Sequence, residues 1–263
     1  MNRYLRLAML QLRISAAEAM QYRSDFVIQG LISLGWVVIV LLPYLVLFDG
    51  RTVIAGDWDA ASALVVMGYF IGINAVLTGV VSPSVTSMVE QIRSGAFDYV
   101  LLKPVDAQLL VSTSRYEPWR IFDLLGAIAL CIYAFHLRGS SPSGLDLLVG
   151  VLMFISGVLA MYAMWIACAA ASFWVVRLDN LAYLLGAIID TGRWPVQVFR
   201  GMWRLVFTAI IPVALMTTFP AMALLGRLDV ATGLLSIGGT LVMVVLSRLL
   251  WRAAIRNYTS ASS

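Results

Sequence analysis

Among the stretches of this chain that run for more than twenty residues without a charge, three stand out: 26–48 with 23, 60–81 with 22 and 147–176 with 30. A bilayer core about 30 Å thick is crossed by a helix of about 20 apolar residues. Inside that core each backbone N–H and C=O needs a partner within the protein, which makes the helix the natural state of such a run. No arrangement that leaves all three stretches in water is compatible with their apolar surface.

The rest of the chain fills in the same plan. Weaker spans are expected at 121–137, marred by Asp123 and His136, at 205–225, interrupted by Pro212 and Pro220, and at 230–247. Only 12% of the residues are charged and 61% are hydrophobic, against about 25% charged in soluble domains. The expectation is an all-α polytopic membrane protein: six transmembrane helices in one domain over 26–250, Pro83 ending the second span, and a tail at 251–263. Residues 1–25 carry Arg3, Arg6, Arg13 and Arg23 among Leu5, Ala8, Met9, Leu12, Ala16 and Met20 at three- and four-residue steps. That is the pattern of an amphipathic helix lying in the membrane interface, not of a cleaved signal peptide. The apolar piece Leu181–Ile189 is too short to span and is expected at the interface or packed on the other helices. Gly68, Gly72 and Gly79 in the second span, and Gly233, Gly238 and Gly239 in the sixth, permit close helix packing.

Charge sets the orientation. With both termini cytoplasmic, 15 of the 18 Lys and Arg residues fall in the N-terminal segment, in 82–120, in 177–204 and in the tail; only Arg51, Arg138 and Arg227 lie outside. This is the positive-inside bias. The net charge of +4 therefore reports membrane topology, and no nucleic-acid partner is expected.

Enzymatic signatures are missing from the sequence. There is no Gly-x-x-x-x-Gly-Lys-Ser/Thr phosphate loop and no Gly-x-Ser-x-Gly elbow, and Cys131 and Cys168 sit apart within apolar runs. The single histidine, His136, reads as an interfacial residue rather than a base for a serine such as Ser156. Asp123 is expected to pair with Arg120 and Asp190 with Arg193, both at the interface. Tyr44, Trp58, Trp119, Trp194, Trp203 and Trp251 lie near span ends, where an aromatic belt is expected.

One polar island remains, at 90–104. Val85–Arg93 suits a short helix, Gly95 a left-handed exit, and Asp98 the cap of a second helical turn that Pro104 stops. Phe97, Leu101 and Leu102 form an apolar ridge with Asp98 and Lys103 on its shoulders. Such a ridge fits a partner's groove or packs against the chain's own helices.

The island Arg93-Ser-Gly-Ala-Phe-Asp-Tyr-Val-Leu-Leu-Lys-Pro104 resembles the cytoplasmic loop signature of ABC-2 type exporter permeases. Further similarity lies in Arg193-Trp-Pro195, in Pro212 followed by Phe219-Pro-Ala221 and Leu224-Leu-Gly226, and in the closing segment from Trp251 to Ala261. The resemblance implies a permease subunit of an ATP-driven exporter in the bacterial cytoplasmic membrane. It implies an ABC ATP-binding subunit as partner, which holds the ATP and Mg, a second identical or related permease, and surrounding lipids. It makes Glu90, Arg93, Gly95, Phe97, Asp98, Leu101, Leu102, Lys103 and Pro104 the ATPase-coupling loop, and Pro212, Phe219 and Pro220 an outer gate. No cofactor is expected in this chain. The competing readings are an ATP-independent secondary transporter or channel, which would carry ionisable chains within several spans, and a membrane scaffold.

The topology makes a direct prediction. Cysteines placed at Arg93 or Lys103 are expected to react with membrane-impermeant reagents only from the cytoplasmic side; labelling in intact cells would invert the orientation.

Overall fold

The computed structural model describes residues 3–49, 53–54, 58–173 and 181–258. Outside those residues lie Arg51, Arg177, the last three residues of the expected 147–176 span and the end of the tail. Among the described residues five helices are long and apolar enough to cross a membrane, with one amphipathic helix ahead of them.

That first helix, α1 (Arg3–Gln21), turns its polar side to the protein. Gln11 Nε2 donates to the Leu110 carbonyl at 3.4 Å, and the Thr113 hydroxyl donates to Gln11 Oε1 at 2.6 Å. Met9, Leu12 and Met20 are left exposed, as suits a helix lying on lipid. A bend at Tyr22 leads into α2 (Arg23–Phe48), which buries one narrow line of residues, Gly30, Ser33 and Tyr44. A two-residue antiparallel pair, β1 (Val53–Ile54) and β2 (Trp58–Asp59), then brings the chain back.

Asp59 starts α3 (Ala60–Val76) by accepting the Ser62 N–H at 3.1 Å. This helix is the core of the protein: 78% of its apolar window is buried, against 11–39% for the other four. Pro83 does not end it. A wide turn of π-helix at Leu77–Val81 runs directly into α4 (Ser82–Arg93), with Pro83 in the first turn of α4. A proline there removes only an N–H that the preceding turn need not bond, so the rod continues. Its 34 residues measure about 50 Å, longer than a bilayer core of about 30 Å. The rod is therefore longer than one straight crossing requires.

The short helices α5 (Asp98–Leu101) and α6 (Ala107–Ser112) bring the chain back along α4, where Ser84 Oγ donates to the Arg115 carbonyl at 2.8 Å and accepts its N–H at 3.1 Å. A tight turn at Pro118–Arg120 opens α7 (Ile121–Arg138), which Gly139 closes in the left-handed conformation at φ 66°. Ser143 and Asp146 cap each other at the start of α8 (Gly144–Ala171). The short α9 (Leu181–Asp190) does not span.

The expected span 205–225 is a broken one. The helix α10 (Met202–Leu205) passes into a π-helical turn at Val206–Ile210, the backbone is extended at Ile211 before Pro212, and a second π-helical turn at Ala214–Thr218 leads into α11 (Phe219–Leu224). Only Pro212 marks the interruption; Pro220 sits in the first turn of α11 and continues it. Finally α12 (Val230–Arg256) crosses alongside α8 and extends past the expected end at 247.

Close backbone approach holds the bundle together. A Cβ on Gly68 would lie 2.4 Å from Cys131 Sγ, and one on Gly157 would lie 2.8 Å from the Leu215 carbonyl oxygen. Gly238 and Gly239 meet nothing within 4 Å, so these two glycines of α12 do not pack within this chain, whereas Gly233 is buried against Leu228. Three members of the expected aromatic belt, Tyr44, Trp58 and Trp251, are buried in protein instead of facing headgroups. The Tyr44 hydroxyl donates to the Ala60 carbonyl, giving the phenol a partner that lipid could not supply.

Gly157→Ala is expected to lower the Tm of the solubilised protein by about 2–12 °C, because overpacking costs roughly 1–3 kcal/mol and this size loses about 2–4 °C per kcal/mol. Gly238→Ala is expected to leave Tm unchanged. Thermal unfolding followed by intrinsic fluorescence distinguishes the two.

Candidate functional site

The polar island becomes an elbow at the far end of the α3–α4 rod. Gly95 takes φ 75°, which lets the Phe97 N–H reach back to the Gln91 carbonyl at 3.0 Å and turns the chain sharply. That turn drives Phe97 inward. Its ring is fully buried and meets Phe173, Trp251 and Tyr258 edge-on, with centroids 5.6, 6.2 and 5.6 Å away. Edge-to-face pairs of this kind each contribute about 0.5–1.5 kcal/mol beyond area burial.

A second anchor lies one turn along α12. Arg248 forms a two-pronged ion pair with Asp106, just past Pro104, and donates to Gln108 Oε1 at 2.6 Å. Gln108 Nε2 reaches the Tyr162 hydroxyl of α8 at 3.1 Å, and Ser112 Oγ lies 2.8 Å from the same hydroxyl. Burial disfavours the charge of Asp106, but the Arg248 guanidinium and the Leu109 N–H outweigh it and hold the carboxyl below its ordinary range. Arg248 and Trp251 lie one turn apart on α12, so one face of that helix grips the elbow twice, with Tyr258 just beyond its end.

The expected ridge is thus split. Phe97 faces the chain's own core and Leu101 is 38% exposed, while Leu102 is 79% exposed. Tyr99, which periodicity did not single out, is 73% exposed beside it. Asp98 is the first residue of α5 rather than its cap; Phe97 holds the cap position with no side-chain bond. The Asp98 carboxylate lies near Tyr258, whose phenol is pushed up first by burial and then by that charge. Glu90, Arg93, Lys103 and Pro104 are exposed around the elbow. Tyr99 escaped notice because its exposure depends on which way the buried neighbours Phe97 and Val100 turn, a choice that a four-residue helix does not encode.

At the opposite end, α11 packs on α8 and α3, with Pro212 and Pro220 buried and Phe219 half-buried. Leu224 lies against Gly150, and Gly226, at φ 67°, brings the chain to Asp146. The elbow and this element do not meet; the length of α3 separates them.

The remaining polar candidates are engaged. Asp123 accepts from Arg120 Nη1 at 3.1 Å, and the Ser33 hydroxyl of α2 donates to its other oxygen. Ser156 bonds Thr240 at 2.8 Å rather than approaching His136, which is exposed at the end of α7. Asp190 pairs with Arg193 at 2.8 Å; the Asp190 side chain is 55% exposed, while the Arg193 guanidinium lies over the Phe70 ring, in the middle of α3. Among the described residues no His, Cys, Asp and Glu cluster could hold a metal.

A family model described as ABC-2 family transporter protein matches residues 34–262. Comparison with curated proteins and with solved structures returns no match.

Phe97→Ala is expected to cost about 3–5 kcal/mol, the range for emptying a buried aromatic site, whereas Leu102→Ala is expected to leave stability unchanged in the same unfolding assay. The Asp106 contribution is fully present above the ordinary carboxylate value of 3.8 and is lost as pH falls through the depressed value. Asp106→Asn is therefore expected to remove part of the acid sensitivity of the unfolding midpoint below about pH 4.

Proposed function

The chain belongs to the ABC-2 family of transporter proteins, and from that premise we propose that it is the permease subunit of an ATP-driven exporter, docked to an ATP-binding subunit through the elbow at 90–104. It is a multi-pass membrane protein. Two permeases, identical or related, would sit over two ATPases in the bacterial cytoplasmic membrane with both termini cytoplasmic. ATP and Mg belong to the partner, and this chain's part is to turn their closure into motion of its helices.

The observation that carries this reading is the elbow's two-sidedness. Tyr99 and Leu102 stand exposed beyond the bilayer, while Phe97, between them and the core, is locked to α12 and α8. A push on the exposed side has two rigid outlets. One runs through α4 into α3, the helix at the centre of the bundle. The other runs through Phe97 and the Asp106–Arg248 pair into α12. Coupling requires that the ATPase dock differently in two states of these helices, since a partner with equal affinity for both shifts nothing. Pro212, Phe219 and Pro220 would then form the outer gate, at the far end of the same helices. The loop's likeness to one exporter branch supports the direction of transport.

A proton- or ion-driven transporter would want an available carboxylate within the spans. Asp123, the acid buried in α7, is instead occupied by Arg120 and Ser33.

Leu102→Glu, alone or with Tyr99→Ala, is expected to abolish co-purification of the ATPase or to reduce transport-linked ATP hydrolysis at least tenfold, with Tm unchanged. Charge reversal at Asp98 or truncation of Leu101 is expected to act in the same direction. Wild-type transport by the Leu102→Glu protein in proteoliposomes would refute docking at the elbow.

A further inference from the structure

Depth within the membrane can be read from the helix rise. From Ala60 to Phe70 is about 15 Å along α3, half of a core about 30 Å thick. Arg193 Cζ sits 5.5 Å from the centre of the Phe70 ring. Gly192, next to it, is buried against Val213, Met216 and Thr217, and Met216 lies against Gly157, about 20 Å along α8 from its start at Gly144. The turn Thr191–Arg193 therefore lies in the middle of the membrane.

The backbone around it is irregular. Single 3-10 turns at Thr191–Arg193 and Val196–Val198, a positive φ of 58° at Gly201 and the break at Ile211–Pro212 interrupt any helix from 190 to 213. Irregular backbone at this depth persists only where protein buries it or where it lines water. Protein satisfies part of it: the Val196 N–H donates to Thr218 Oγ1 at 3.0 Å. Two polar atoms, Arg193 Nε and Gln197 Oε1, are enclosed without a protein partner. Arg200 and Arg204 are exposed and form no ion pair among the described residues. Among the described residues from 190 to 213, three arginines thus stand with one carboxylate, Asp190, which Arg193 already holds. Phe199, Trp203 and Phe207 stack beside them, with centroids 4.7 and 6.0 Å apart.

We propose that residues 190–213 line a water-filled, positively charged stretch of the translocation path, suited to a cargo that carries a carboxylate or phosphate group. The inference rests on the chain's being the translocating subunit and adds the chemical class of what passes. Arginine is costly in hydrocarbon and is retained at depth where it faces water or a counter-charge. Its planar fork matches carboxylate and phosphate oxygens. Discontinuous helices near the midplane are where transporters gather such groups. Arg193, tied to Asp190 and Phe70, fixes the turn; Arg200 and Arg204 supply the field.

The test uses charged thiol reagents on the full complex in membranes, in a Cys131→Ser, Cys168→Ser background. With Gln197→Cys, a sulfonate-bearing methanethiosulfonate is expected to react about tenfold faster than a trimethylammonium-bearing one, relative to the same pair on a free thiol, as a positive cleft concentrates anions. Adding Arg200→Gln and Arg204→Gln is expected to bring that ratio back to the free-thiol value. Absence of reaction from both sides of the membrane, or a ratio no higher than that of the free thiol, overturns the proposal. Trp203→Cys, at an exposed position, supplies the same readout if the first variant fails to insert. ATPase docking that persists in the Leu102→Glu protein, with the ratio intact, would count against the elbow and leave this path standing.

Discussion

Everything in this protein is arranged around the burial of α3. In lipid there is little hydrophobic gain in bringing helices together, because the tails are as apolar as leucine; close van der Waals contact has to supply the attraction. Gly68 and Gly72 let α7 and the Phe154 ring of α8 approach α3, and Gly157 lets the turn at Ala214–Thr218 touch α8 directly. With its surroundings set at such short range, α3 has no slack to shift without moving its neighbours. That property suits a helix that carries force.

The rod keeps going where a proline seems to end it. A π-helical turn loosens the ladder just before Pro83, so the missing N–H falls where little is lost. The result is one element that begins at the β1–β2 hairpin, passes through the core and runs on to hold the elbow. The elbow is in turn held from behind by α12, through an aromatic contact and an ion pair on the same face. Removing either would leave the exposed surface attached but poorly braced.

The described charges close to the membrane follow a consistent logic. Arg120 and Asp123 neutralise each other where α7 enters, and Arg248 and Asp106 do so where α12 leaves. The segment from 190 to 213 departs from it, combining cations, broken backbone and two enclosed polar atoms. Local rules of helix formation and of charge placement fail together there. Such joint failure is expected of a functional site and not of a scaffold.

Much of this was legible in the residues themselves. Runs of uncharged residues dictate helices, because a bilayer offers the backbone no other partner, and the amphipathic repeat of residues 1–25 dictates a helix beside them. The i, i+3 pairs Arg120–Asp123 and Asp190–Arg193 were likewise visible, since helical spacing alone brings such residues together. What only the tertiary structure decided was direction and depth. Phe97 rather than Tyr99 turned inward because Phe173, Trp251 and Tyr258, far away in the chain, converge to receive it. Arg193 lies over the middle of α3 because the Phe70 ring receives its guanidinium there, while Gly192 beside it packs on Met216. Periodicity fixes which residues share a face, but the side on which that face finds its partners depends on contacts between segments more than a hundred residues apart.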